Sequence, residues 1–245
     1  MKTLPFALII AVILISLAFY IAKIRSKLPR KKVILLLGPP GSGKGTQAIT
    51  LAKDLKIPHI STGDLFRQHI RTSTTLGQEV KALIADGKLV PDEIVMKMLF
   101  ERLTEKDCEN GYLLDGFPRT IPQAEALTSF LDGKSEIVAI NLDVSDEIIT
   151  KRIEGRLTCR ECGNVQNKYF FPPKVESTCD ECGGELVQRP DDSLDAVQER
   201  LKAYHTQSKP LLDFYTSKNT LKAVNGEMKT EEVYAALQSA YKEAL

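Results

Sequence analysis

Tryptophan is absent from the 245 residues, and histidine occurs only three times. Neither sign of charge dominates: 33 Lys and Arg stand against 32 Asp and Glu. Nucleic-acid binders usually carry a clear basic surplus, so this balance argues against that class of partner. No low-complexity tract and no repeat at solenoid periods is visible, which removes fibrous and repeat architectures. His59, His69 and His205 have no Ser, Cys or Asp arrangement around them of the kind nucleophilic catalysis needs, and they read as structural. Cysteine is sparse but concentrated, with four of the five falling in two Cys-x-x-Cys pairs within a short stretch. Such pairing favours a metal over a disulfide framework and implies a reducing compartment. The length suffices for one α/β domain with insertions, or for two small domains.

Long uncharged runs are also missing, with one exception. Residues 4–22, from Leu4 to Ala22, form a 19-residue stretch without charge, interrupted only by Pro5 and Ser16. At about 1.5 Å per residue a helix of that length spans a bilayer core. Lys23, Arg25, Lys27, Arg30, Lys31 and Lys32 follow it, which by the positive-inside rule places the C-terminal bulk in the cytoplasm behind a single-pass anchor. Two other readings compete. A cleaved signal peptide would need small residues at its cleavage site, and Tyr20-Ile21-Ala22 fits poorly. A mis-assigned start, with translation beginning near Val33, is the third. The expected division is therefore 1–31 as anchor segment and basic linker, and 32–245 as the folded part.

Along that second part, Val33–Leu37 reads as a buried parallel strand, followed by a glycine-rich turn and a helix over Thr46–Leu55. Ser61-Thr62-Gly63-Asp64 resembles a helix-capping segment. Two or three short helices fill 64–86, punctuated by Gly77 and Gly87. Further helices are expected over Asp92–Leu103, Asp146–Glu154, Leu194–Phe214 and Thr230–Ala244. Strands are expected over Gly111–Asp115, Ile137–Leu142 and Lys222–Val224. Strands alternating with helices argue a parallel sheet covered on both faces. The cysteine segment, 156–192, breaks this rhythm and reads as an inserted module.

Gly38-Pro39-Pro40-Gly41-Ser42-Gly43-Lys44-Gly45-Thr46 follows a strand and opens a helix, fitting the G-x-x-x-x-G-K phosphate-binding loop with Gly45 ahead of Thr46. Its glycines let successive N–H groups converge on phosphate oxygens, and the helix N-terminus adds a favourable dipole. Lys44 can reach the β- and γ-phosphates. Asp115 ends an apolar strand, where it either holds Mg²⁺ through water or caps a turn. Asp64 is explained equally well as a helix cap. Cys159-x-x-Cys162 and Cys179-x-x-Cys182, sixteen residues apart, form a four-thiolate zinc pattern with no coordination position left for catalysis; two disulfides or free thiols are the alternatives. Cys108 reads as a semi-buried small residue.

The phosphate loop continuing to Gln47, then Ser61-Thr62-Gly63-Asp64, then Leu114-Asp115-Gly116-Phe117-Pro118-Arg119-Thr120 occur in this order and spacing in adenylate kinases. The resemblance covers roughly residues 32–245. It implies a P-loop α/β core with a helical AMP-binding insert near 61–90 and a zinc-bound lid near 155–192. It also implies transfer of a phosphoryl group from ATP to AMP, giving two ADP, with Mg²⁺ accompanying ATP. By the same resemblance Gly41, Ser42, Gly43, Lys44, Gly45 and Thr46 hold ATP phosphates, and Arg152 stacks on its adenine. Val165, Gln166 and Met228 approach its base and ribose through the backbone. Arg67 and Arg119 hold the AMP phosphate, while Arg156, Arg189 and Arg200 converge on the transferring group. AMP is further contacted by Thr62, by Lys88-Leu89-Val90, by Gly116, Phe117, Pro118 and Arg119, and by Gln123. Gln123 carries both a donor and an acceptor for an adenine edge. A kinase for UMP or CMP, or a non-catalytic membrane-tethered nucleotide-binding module, are the rival readings. A monomer is expected, with the catalytic part cytoplasmic.

Overall fold

The computed structural model describes residue 16, residues 31–133 and residues 135–244. The proposed anchor at 4–22 therefore falls outside the described residues except at Ser16. Among the described residues no helix is long and apolar enough to cross a membrane. The chain divides into two units, Met1–Lys31 and Lys32–Leu245, and the second carries the architecture that follows.

Its centre is a five-stranded sheet in the order β2-β3-β1-β4-β8. These strands are β1 (Lys31–Leu37), β2 (His59–Ser61), β3 (Gly111–Asp115), β4 (Ser135–Asp143) and β8 (Leu221–Asn225). Pairing is parallel between β1 and β3, β2 and β3, and β4 and β8. Val33 to Leu36 and Tyr112 to Leu114 are at most 1% exposed. That is why these segments read as continuous apolar runs rather than alternating ones: both faces of the sheet are covered. Leu35 and Tyr112 belong to the core on one side of the sheet, Ile34 and Leu113 to the core on the other. Truncating a residue such as Leu35 to Ala would cost about 2–5 kcal/mol.

The covering helices are α1 (Lys44–Leu55), α2 (Thr62–Arg71), α3 (Thr75–Ala85), α4 (Asp92–Leu103), α5 (Ile121–Leu131), α6 (Asp146–Glu154), α7 (Leu194–Ala203), α8 (Pro210–Ser217) and α9 (Thr230–Glu243). Between α6 and α7 a separate three-stranded antiparallel sheet forms, order β6-β5-β7, from β5 (Arg156–Cys159), β6 (Val165–Asn167) and β7 (Leu186–Val187).

Several expectations need correcting. The helix expected over Leu194–Phe214 is broken: a π-turn spans Tyr204–Ser208 before Pro210 opens α8. Proline lacks the N–H a continuous helix would use, so the break sits just ahead of it. Gly77 does not punctuate the 64–86 region but lies inside α3, which Thr74 caps by accepting from the Gly77 N–H at 3.1 Å. A Cβ at Gly77 would come within 2.2 Å of the His69 carbonyl oxygen, so glycine is there for the close approach of two helices. Strand β2 and helix α5 were not anticipated. Three residues of strand carry too little pattern to register, and α5 hides behind Pro122, which sits where proline is tolerated in a helix's first turn. Cys108 is fully buried rather than semi-buried.

Candidate active site

The phosphate loop joins β1 to α1. Gly38 has φ +133°, and a Cβ there would lie 2.5 Å from the Leu142 carbonyl oxygen of β4, so the turn admits only glycine. Lys44 opens α1 and folds back over the loop: its Nζ donates to the carbonyls of Gly38 (2.8 Å) and Pro39 (2.7 Å) and to Ser42 Oγ (3.3 Å). Burial lowers its pKa, Asp115 opposes this, and Arg119, Arg200 and Arg156 lower it further, to about 8.

Asp115 ends β3 directly beside the loop, in register with Leu36 of β1 and Ser61 of β2. A Cβ on Gly45 would be 3.4 Å from its Oδ2. Burial raises its pKa, but His59 and Lys44 outweigh this and hold the carboxyl below the usual range. His59 Nε2 lies 3.7 Å from Asp115 Oδ2, without a hydrogen bond of its own, and the residue lines the larger cleft over the phosphate loop. Its place on the unrecognised strand β2 concealed this.

A smaller cavity lies between α2, α3 and the loop after β3. Thr62, Arg67, Lys88, Leu89, Val90, Gly116, Arg119 and Gln123 all line it, as the sequence suggested, together with an apolar wall of Phe66, Ile84 and Val95. Thr62 Oγ1 donates to the Gly116 carbonyl at 3.0 Å, and Arg119 Nε donates to the same oxygen at 2.9 Å. Asp64 is not the cap of α2: Ser61 Oγ accepts from the Asp64 N–H, and the Asp64 carboxylate accepts from Arg67 at 2.5 Å. Phe117 departs from expectation. It is fully buried in the core, edge-on to Phe100, and lines neither cavity.

A larger cleft of about 890 Å³ runs over the phosphate loop. It is lined by Gly41 to Thr46, Asp115, Pro118, Arg152, Arg156, Val165, Arg189 and Met228. Arg67, Arg119 and Arg200 line both cavities, so the two meet at a cluster of guanidinium groups. The cluster is held by acids from the turn before α7. Arg156 donates through Nε to Asp192 Oδ2 at 2.8 Å and through its terminal nitrogen to Asp192 Oδ1. Arg200 donates to Asp191 Oδ2 at 3.1 Å and to Asp192 Oδ1 at 3.4 Å. Arg189 donates to Thr158 Oγ1 at 2.9 Å. Burial, and then the neighbouring arginines, lower Arg189 and Arg200 to about 10, so both remain charged at neutral pH.

At the far end of the cleft the Arg152 guanidinium lies 5.7 Å from the Phe170 ring centroid, both groups lining the cavity. Arg152 donates to the carbonyls of Gly226 (2.9 Å) and Ser42 (3.3 Å). Sequence reasoning missed Phe170 and Asn167. The buried Asn167 carboxamide donates to the Arg152 carbonyl at 2.8 Å and accepts from the N–H groups of Tyr169 (2.9 Å) and Phe170 (3.3 Å). It thus ties the backbones of the flat cation and the ring together. The Tyr169-Phe170-Phe171 triplet was the available signal, since three partly exposed aromatics in a row are unusual away from a binding surface. Gln166 does not line the cleft. Its buried side chain exchanges hydrogen bonds with Asp180, at 2.8 and 3.1 Å, beside the second cysteine pair.

The four cysteines of the small sheet come together, with all four Sγ atoms within 4.8 Å of one another. Cys159 and Cys182 are 3.5 Å apart, Cys162 and Cys179 3.7 Å, and no disulfide joins them. A tetrahedron of thiolates about 2.3 Å from an ion places sulfurs about 3.8 Å apart, so the set fits a tetrahedral thiolate metal site.

The family model for adenylate kinase matches residues 36–220. The chain is 50% identical over 203 residues to the adenylate kinase of Clostridium tetani, covering 82% of this chain and 94% of that one. It is 50% identical over 206 residues to that of Lachnospira eligens (83% and 97%), and 49% identical over 209 residues to that of Carboxydothermus hydrogenoformans (84% and 98%). The span of the family match takes in the phosphate loop, the smaller cavity and the cysteine-bearing sheet, and the chain belongs to the adenylate kinase family.

Proposed function

We propose that this chain transfers the γ-phosphoryl group of ATP to AMP, reversibly, giving two ADP. The observation that carries this reading is the meeting of two cavities at Arg67, Arg119 and Arg200. A protein that merely bound one nucleotide would have no use for a cluster of half-buried cations between two pockets. In the reaction an oxygen of the AMP phosphate forms a bond to the γ-phosphorus as the bond from that phosphorus to the bridging oxygen of ADP breaks. No proton has to move, so no general base is required, and positioning with charge neutralisation carries the catalysis.

In this reading the amides of Gly41 to Thr46 and Lys44 cradle the ATP phosphates, and Arg152 with Phe170 holds the donor base between a flat cation and a ring. Val165 and Met228 close that end. Arg67 and Arg119 fix the AMP phosphate, and Thr62, Lys88 to Val90, Gly116 to Arg119 and Gln123 surround its nucleoside. Arg156, Arg189 and Arg200 neutralise charge on the group in transit. Residues 61–90 form the AMP-binding insert and 155–192 the lid, whose closure would exclude water. Asp115, half-buried beside the phosphate loop, would hold Mg²⁺, which would neutralise phosphate charge when bound. Cys159, Cys162, Cys179 and Cys182 would hold one structural Zn²⁺ in the lid, substituting for a core too small to stabilise it.

The uncharged stretch 4–22 with cations behind it supports a tether that leaves the catalytic part, as a monomer, in the cytoplasm. Membrane fractionation and the mass of the native N-terminus test that. The activity is tested by following ADP formation with ATP as phosphoryl donor and AMP, UMP or CMP as acceptor. AMP should be used best. Preference for UMP or CMP, or turnover retained in Lys44→Ala, would overturn the assignment.

A further inference from the structure

The carboxamide of Gln123 is held from both ends. Its Nε2 donates to Asp92 Oδ1 at 2.7 Å, and its Oε1 accepts from the backbone N–H of Arg119 at 2.8 Å. A carboxylate offers only lone pairs and a backbone amide only a hydrogen. The reverse orientation would set oxygen against carboxylate and NH₂ against N–H, so these partners fix which end of the amide is which. Asp92 is itself fixed, because its Oδ2 accepts from Thr120 Oγ1 at 2.7 Å. Thr120 in turn caps the helix that carries the glutamine, its Oγ1 accepting from the Gln123 N–H at 3.3 Å. Gln123 is 2% exposed and lines the smaller cavity, whereas Asp92 does not.

These contacts use one of the two amide hydrogens and one lone pair of the amide oxygen. The other hydrogen and the other lone pair remain for a ligand in the cavity, in an order that cannot be exchanged. Adenine presents an acceptor at N1 beside a donor at its 6-amino group. Hypoxanthine and guanine present the opposite, a donor at N1 and an acceptor at O6. Adenine and hypoxanthine are almost identical in shape, so an apolar wall cannot separate them, but a carboxamide of fixed orientation can.

We propose that Asp92 is a specificity-determining positioning residue: by forbidding rotation of the Gln123 carboxamide it makes the acceptor pocket read adenine and reject 6-oxopurines. The proposal rests on the reading that Gln123 meets the acceptor base. Asp92 opens α4, where a carboxylate also suits the helix dipole, and the test must separate the two roles.

Asp92→Asn removes one of the two constraints, since asparagine can turn either its oxygen or its NH₂ toward Gln123; the Arg119 N–H remains as the other. The expected result is that the ratio of kcat/KM for IMP to that for AMP rises by about tenfold. The change should be carried by KM for the monophosphates, with KM for ATP unchanged. Equal losses for IMP and AMP would show a structural role and overturn the proposal. Gln123→Ala, assayed alongside, should lose most of the preference for AMP over IMP. If Gln123→Ala keeps the preference, the base contact itself is wrong. If it loses the preference while Asp92→Asn keeps it, only the lock fails. Should Asp92→Asn not fold, the unmodified protein supplies a second reading. Proton exchange of the ¹⁵N-labelled Gln123 side-chain amide should be slowed at least about tenfold relative to exposed glutamines, as for other buried, bonded amides. Exchange as fast as in exposed side chains would overturn the lock.

Discussion

Lys44 gives the proposed ATP site a pH dependence whose size and sign follow from its surroundings. In the ligand-free protein its ammonium is buried among two carbonyls and one hydroxyl, with three arginines nearby, and its pKa falls to about 8. A polyphosphate placed over the loop would return it to 10.5 or above. At about 1.36 kcal/mol per pH unit, that restoration couples roughly 3 kcal/mol of binding to protonation. ATP binding should therefore draw in about a tenth of a proton at pH 7, half at pH 8 and nearly a whole one at pH 9. Above pH 8 the Kd should weaken toward about tenfold per pH unit. Folding stability moves the other way. Between pH 8 and 10.5 the unfolded chain holds the proton that the folded one has lost, so this residue's contribution to stability rises with pH across that window. Calorimetric titration with ATP in two buffers of unlike ionisation enthalpy, with no magnesium added, measures the proton directly. An affinity flat from pH 7 to 9.5, or the same uptake in Lys44→Met, would refute the argument.

Three further outcomes are expected. Asn167→Ala should raise KM for ATP by about tenfold while leaving KM for AMP within about twofold, because two backbone donors and one carbonyl lose the group that ties them together; equal effects on both substrates in steady-state kinetics would discount it. Metal analysis should find one zinc per chain, and Cys159→Ser should lose it and lower the melting temperature, whereas metal-free wild-type protein of unchanged stability would discount the lid site. Asp192→Ala leaves the guanidiniums of Arg156 and Arg200 buried without their shared carboxylate. Urea unfolding should show a loss of about 3–5 kcal/mol, and no measurable loss would mean that water replaces the acid freely.

How far the sequence led depended on how local each signal was. The phosphate loop, β3 with Asp115, and helices α4 and α6 were legible to the residue because each is a contiguous pattern with its own start and stop. The cysteine cluster was legible because metal geometry constrains spacing more tightly than folding does. What escaped was relational. Nothing in the residues around His59 says that β2 will align Ser61 with Asp115 and so bring the imidazole beside the acid. Asn167 and Asp92 act through hydrogen bonds to residues 15 and 31 positions away, and no local periodicity marks such pairs. The break in the expected 194–214 helix was signalled by Pro210, but helical spacing of the apolar residues on both sides masked it.

Among the described residues, the cations of this site share a property that bears on how it works. Each already has an acceptor within the protein: Lys44 has loop carbonyls, Arg67 has Asp64, Arg119 has the Gly116 carbonyl, Arg152 has two more carbonyls, Arg189 has Thr158, and Arg156 and Arg200 have Asp191 and Asp192. Seven uncompensated, half-buried charges crowded together would strain a domain of ordinary stability, whereas charges resting on weaker acceptors do not. Substrate phosphates must then win an exchange rather than fill a vacancy, and the acceptors differ in how readily they yield. Carbonyls and a threonine hydroxyl lose little to a phosphate oxygen. Asp191 and Asp192 lose more, because they are themselves buried and would need new partners. If residues 155–192 close as the proposed lid, rearrangement around those two acids would be the step that demands the most binding energy, and both nucleotides' phosphates would have to be present to supply it. On that proposal the site would resist closing over ATP and water alone, which is the condition a phosphoryl transferase must meet to avoid acting as a hydrolase.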